Sequence, residues 1–195
     1  SFISYGSTQW IPTFLGRTYG YAMRDAGIHY GYIVMGFGTA GIIFGGWLAG
    51  WLMQRGYKDA KMRAALCAAI GHIPLGILFP LMPTAEWALI FLCGAVFTAA
   101  MPFGVGPAAI QEMMPNRMRA QASAVYLFVL NLIGLGLGPT AVALSTDYIF
   151  RDENSLYMSL VLVSTVFGIA ASILLYMGMR HFRASIDHLK EWQKT

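Results

Sequence analysis

Gly134, Gly136 and Gly138 stand at alternate positions in the stretch NLIGLGLGPTAVAL, with Pro139 directly after them. Glycines so spaced can free backbone amides to cradle a phosphate. A dinucleotide fingerprint, however, needs a strand before the glycines and a helix N-terminus after them, and a P-loop needs a lysine. Residues 131–144 have no strand pattern, no partner acid at the right distance and no lysine nearby. The other chemistry-bearing residues are as sparse. The four histidines and two cysteines have no ligand spacing. Cys67 and Cys93 read as small buried hydrophobes. No convergent set of Ser, His and Asp suggests an enzyme. The expectation is therefore no metal, no cofactor and no catalysis.

The same glycines read differently once the elements around them are considered. The chain has 195 residues, 57% of them hydrophobic and 11% charged, with mean hydropathy +0.57. Soluble domains carry about 25% charged residues. Residues 26–54, 64–85, 87–111, 120–146 and 154–179 contain no Asp, Glu, Lys or Arg, and neither do residues 1–16. A helix needs about 20 apolar residues to cross the hydrocarbon core. Barrel strands would be about 10 residues long and strictly alternating, which these windows are not. The windows predict five membrane-spanning helices, A to E, over about 28–53, 64–82, 87–111, 121–145 and 155–179. A charge-free stub precedes them. It is short for a span and opens without a signal-peptide pattern, so it reads as a cut helix with more helices upstream.

The net charge of +4 does not point to nucleic acid, because its distribution has a simpler cause. Arg55, Lys58, Lys61 and Arg63 fall between A and B. Arg117 and Arg119 fall between C and D, and Arg180, Arg183, Lys190 and Lys194 in the tail. These segments alternate with others that hold most of the acids. Lys and Arg collect on the cytoplasmic side, so the A–B loop, the C–D loop and the C-terminus are expected inside. Trp10, Tyr19 and Tyr21 suit the outer interface belt. Phe182, Ile186, Leu189 and Trp192 recur at helical spacing among basic residues. Residues 180–195 are thus expected to form an amphipathic helix on the inner membrane face, beyond a transmembrane bundle at 1–179.

On a helix, Gly134 and Gly138 share a face and let two backbones approach closely in lipid, while Pro139 kinks the helix. Helix A repeats the device with Gly41 and Gly45, and again with Gly46 and Gly50. Helix C places Gly104 and Gly106 between Pro102 and Pro107. Close packing and broken helices are how transporters build midplane sites.

The passage PNRMRAQASAVYLFVLNLIGLGLGP resembles the tenth-to-eleventh helix passage of the major facilitator superfamily. It has the proline (Pro115), the basic pair (Arg117, Arg119), the small residues and a closing Gly138–Pro139. The stretches WIPTFLGRTYG and GPTAVALSTDYIF are similar to the Spinster-like branch, and related organic-anion transporters share much of the pattern. The resemblance implies an all-α helical bundle. It would be the C-terminal half of a major facilitator fold, with a truncated seventh helix and helices eight to twelve. The A–B loop falls at the family's second Gly-x-x-x-Asp-Arg signature, but with Gly46 first, Gly50 takes the acid's place and Trp51 the arginine's. Gly46 and Gly50, with Gly134, Gly138 and Pro139, become packing or gating candidates. Arg55, Lys58, Arg117 and Arg119 are the loop basics, and topology alone is a sufficient role for them.

The resemblance further implies alternating access by a multi-pass protein of the plasma membrane, in bacteria the inner membrane. The absent N-terminal six-helix half, the bilayer, a small-molecule substrate and protons would be its partners. Tyr5, Gln9, Thr39, Met101, Phe103, Tyr126 and Asn131 become the cavity candidates, since the stub, A, C and D would line the site while B and E pack outside. Asn131 is foremost, because an amide in mid-membrane needs a partner or water. His72 reads as a hydrogen-bonded structural residue, with proton relay as the other role its chemistry permits. No acid lies within the five windows, so a proton-coupling carboxylate would belong to the missing half. An amphipathic, lysolipid-like solute and a small organic anion both remain open as substrates, as does a non-transporting membrane subunit.

Overall fold

The computed structural model describes residues 1–192, with side chains through Ile186 except that of Glu153. Among the described residues there are six long helices and no strand. They are α1 (Phe2–Tyr19), α2 (Met23–Gln54), α3 (Ala60–Leu81), α4 (Ala85–Met113), α5 (Asn116–Phe150) and α6 (Leu156–Trp192). Helices α2 to α6 are long and apolar enough to cross a membrane, and Tyr32, Ile43, Phe128 and Tyr176 point outward, mostly exposed. An apolar surface of that extent suits lipid rather than water. Prolines inside the helices (Pro74 and Pro80 in α3, Pro102 and Pro107 in α4) are tolerated where neighbouring helices re-satisfy the freed carbonyls.

Two spans are not regular. Residues Val34–Gly38 of α2 and Leu132–Leu137 of α5 form π turns, each of which rotates the helix beyond it relative to the helix before it. Helix ends follow local chemistry. Gly20 closes α1 with φ 73° while its N–H bonds to Gly16 O, a backbone shape that costs glycine nothing.

The core gathers on α1. Ile11, Phe14 and Leu15 are buried against Phe79 of α3, Leu92 of α4, Val142 of α5 and Leu160 of α6. The Phe14 ring meets Phe79 edge-on at 5.9 Å. Trp10 Nε1 donates to the Pro139 carbonyl at 3.0 Å and Tyr19 Oη to the Met82 carbonyl at 2.6 Å, so the first ties α1 to the interior of α5 and the second joins the end of α1 to the end of α3. Trp10→Phe keeps a ring but removes that donor. The expected cost is about 0.5–1.5 kcal/mol, read as an earlier midpoint in chemical unfolding of the reconstituted protein; an unshifted midpoint refutes the bond's contribution.

Residues 180–192 continue α6 without a break. Phe182 and Ile186 are buried with Ala109, beside Met62 and Met113, and Arg183 reaches Asp59 at 2.6 Å. Those contacts reward a straight continuation. Leu189, Lys190, Trp192 and Lys194 lie outside the described side chains.

Candidate functional site

A groove of about 450 Å³ opens between α1, α2, α3 and α4. The residues of α1 that line it include Ser4, Tyr5, Ser7 and Thr8; α2 supplies Tyr30, Val34, Met35 and Thr39. The opposite wall is α4, with Leu92, Val96, Ala99, Ala100 and Phe103. Small residues on α4 leave the space, and the π turn of α2 aims Val34, Met35 and Thr39 into it. The groove has a polar side built of hydroxyls and an apolar side built of methyls and rings.

Sequence expectations meet this geometry unevenly. Tyr5, Phe103 and Thr39 come together on the groove, with the Tyr5 and Phe103 rings edge-on at 6.0 Å. Tyr126 does not line it; its hydroxyl sits over Gly106 instead. Met101 is buried where α4 crosses α2 at Gly45 and is not on the wall. Gln9 is exposed, outside the lining. Asn131 is exposed, and its Nδ2 donates to the Leu127 carbonyl at 2.8 Å. One N–H of its amide is thus engaged by its own helix, and the side chain does not line this groove.

The glycines divide as well. Gly138 lies on Gly6 and the Phe2 carbonyl of α1, and Gly134 lies under the Tyr5 ring. On α2 the close approach is made by Gly41 and Gly45, which meet the α4 backbone at Phe97 and Met101. Gly46 and Gly50 face open space, so they are not packing residues within this bundle. Pro139 heads the regular helix that follows the π turn.

Helix α3 is not merely an outer helix. His72 and Phe79 line the groove, and His72, Ile3, Ser4 and Ala99 also line a second one, of about 360 Å³, which reaches α6 at Gly168 and Ala171. Nδ1 of His72 lies 3.2 Å from the Ala95 carbonyl. A carbonyl only accepts, so Nδ1 carries the proton and Nε2 is an acceptor in the neutral ring. That Nε2 and Ser164 Oγ are buried without hydrogen-bond partners, both close to Gly76.

At the end of the bundle bearing the α2–α3 link, the basic residues are not merely loop charges. Asp59 is 1% exposed and takes Arg63 Nε at 3.0 Å and Arg183 at 2.6 Å. Lys61 pairs with Glu112 at 3.0 Å and donates to the Ala108 carbonyl. Arg55 stacks over Trp51 at 3.7 Å, and Arg119 Nε donates to the Met114 carbonyl. Lys58 lies on the link and Arg117 in the turn that opens α5. Burial tends to raise the Asp59 carboxyl, but the two guanidinium groups outweigh it and hold the group below its ordinary value.

Sequence reasoning missed Ser4, Thr8 and Tyr30 in the groove and Asp59 at the basic end. Ser1, Ser4 and Thr8 recur at helical spacing in the charge-free stub, a signal that could have marked one polar face.

The model of the Major Facilitator Superfamily matches residues 1–139. The chain is 25% identical over 184 residues to an "MFS-type efflux pump" of Mycolicibacterium smegmatis (strain ATCC 700084 / mc(2)155), covering 93% of this chain and 42% of that protein. It is 27% identical over 173 residues to the "Uncharacterized transporter YybO" of Bacillus subtilis (strain 168), covering 85% and 38%. The chain thus spans about two fifths of the length of these curated relatives. Among solved structures, a bacterial homologue of the human lysosomal transporter Spinster matches in its inward-facing, unoccupied form. The TM-score is 0.76 at 22% identity, over 94% of this chain and 46% of that one. The occupied form gives 0.64 at 19% identity, with the same coverage. At these identities the likeness concerns the fold: six helices arranged as in one half of such a carrier.

Proposed function

The chain belongs to the major facilitator superfamily, and on that premise we propose that it forms half of a secondary active transporter working by alternating access. It would be the C-terminal half, rocking against an N-terminal six-helix half about a central site. The basic end, with the C-terminus, would face the cytoplasm of a bacterial inner membrane, in keeping with the lysine and arginine bias. The cargo is a small organic or amphipathic solute of lysolipid type, and the driving ion is the proton, with its carboxylate in the other half.

The observation that carries the reading is the two-sided groove. Tyr5, Ser4 and Thr39 supply hydroxyls, while Phe103, Val96 and Leu92 supply an apolar wall. Such a site holds an amphiphile with its chain along α4 and its polar part toward α1. Pockets of this size, apolar with a few convergent polar groups, are the usual form of small-molecule sites.

The test is uptake by the full-length protein in proteoliposomes, with a fluorescent lysophosphatidylcholine as probe and an imposed pH gradient. Uptake is expected to collapse with a protonophore. Burying one aromatic ring is worth about 1.5–3 kcal/mol, so Tyr5→Ala with Phe103→Ala is expected to weaken apparent affinity at least ~10-fold. Unchanged affinity in the double variant removes the groove from the transport path. Uptake indifferent to the gradient removes the proton.

A further inference from the structure

The groove's hydroxyls are not interchangeable, because one hydrogen-bond chain fixes their direction. Thr8 Oγ1 lies 2.7 Å from the Ser4 carbonyl, which can only accept, so the single hydroxyl proton of Thr8 is donated there. Thr8 Oγ1 also lies 2.9 Å from Tyr30 Oη. With the Thr8 proton already engaged, the bond between the two hydroxyls must use the Tyr30 proton. Tyr30 is itself anchored, 8% exposed and packed in the core cluster. Its phenol oxygen therefore has lone pairs to offer and no proton.

We infer that Tyr30 is a solute-recognition residue, a fixed hydrogen-bond acceptor that takes a hydroxyl or ammonium donor and disfavours a carboxylate or phosphate at that point. The inference rests on the transport reading of the groove and names the headgroup chemistry that this part of it selects. No lysine or arginine lines the groove. An anion placed against the Tyr30 oxygen would face lone pairs in a medium where an unpaired buried charge is costly. A neutral hydroxylated headgroup loses nothing there.

Two probes with the same acyl chain and glycerol backbone separate the cases: monooleoylglycerol, with free hydroxyls, and oleoyl lysophosphatidic acid, with a phosphate. Binding is measured by tryptophan fluorescence of the full-length protein in nanodiscs, against empty nanodiscs. Monooleoylglycerol is expected to bind at least ~10-fold more tightly. Tyr30→Phe removes the acceptor and is expected to weaken it about three- to tenfold while leaving lysophosphatidic acid unmoved. Thr8→Val releases the Tyr30 proton, so the phenol can donate, and the preference is expected to narrow. A general packing defect would lower both probes together and would overturn the inference. So would tighter binding of the phosphate probe. If neither probe binds the wild-type protein, the transport reading of the groove fails with it; if both bind without discrimination, only the acceptor assignment fails.

Discussion

Gly41→Leu and Gly45→Leu are each expected to abolish the folded protein. A Cβ at Gly45 would stand 2.6 Å from the Met101 carbonyl oxygen, and one at Gly41 would press on the Phe97 carbonyl and lie 3.1 Å from Ala100 Cβ. The obstacle in both cases is backbone, which cannot swing aside as a side chain can. Overpacking a well-filled core costs about 1–3 kcal/mol and sometimes more, and separating α2 from α4 would also open the groove between them. The readout is the monodisperse peak of the full-length protein in size-exclusion chromatography, which should vanish. Gly46→Ala and Gly50→Ala are the internal controls. Both positions face open space, so alanine should leave the peak intact and add up to ~1 kcal/mol of helix preference each. Equal behaviour of the four variants would dispose of the assigned contact face.

Asp59→Ala is expected to release the basic end of the bundle. It leaves Arg63 and Arg183 without the carboxylate that joins them. Breaking a fully buried pair costs about 3–5 kcal/mol; here both arginines reach solvent, their side chains 35% and 46% exposed, which lowers the expectation to about 2–3 kcal/mol. The pH dependence has a definite sign. The folded carboxyl is held below its ordinary 3.8, so its stabilisation is complete above that value and is lost as pH falls through the depressed one. The wild-type protein should show a flat stability between pH 5 and 8 and a decline below about 4. Asp59→Ala should start lower and lack that part of the decline. Parallel acid profiles for the two proteins would mean that Asp59 contributes nothing by its charge.

The spans were legible because lipid leaves so little freedom: 20 or more residues without charge can hardly be anything but a crossing. The glycine contacts of α2 were only half legible. Gly41, Gly45, Gly46 and Gly50 make two interleaved pairs four residues apart, and the sequence does not say which pair meets a neighbour, least of all just after a π turn that shifts the helical phase. Asn131 was half legible. A lone amide in an apolar run asks for partners; one N–H finds the carbonyl four residues back, and the residue lies off the groove between α1 and α4. Asp59 went unseen because the acid was sought at Gly50, where the family signature puts it. The chain places a carboxylate nine residues later, and the fold brings a guanidinium from α6 to meet it. The continuation of α6 was equally hidden, since it depends on apolar partners far off in sequence.

The two glycine seams have a consequence beyond packing. The seam of α2 closes on α4, and that of α5 closes on α1. Counting the six helices as two successive threes, the middle helix of each three lies against the leading helix of the other, and each middle helix carries a π turn just before or within its seam. The bundle is thus a reciprocal clasp with approximate twofold exchange, in which neither triplet can be withdrawn without unseating the other. Such an object divides poorly. A cut between α3 and α4 would yield two fragments that each lack the surface on which their own glycines depend.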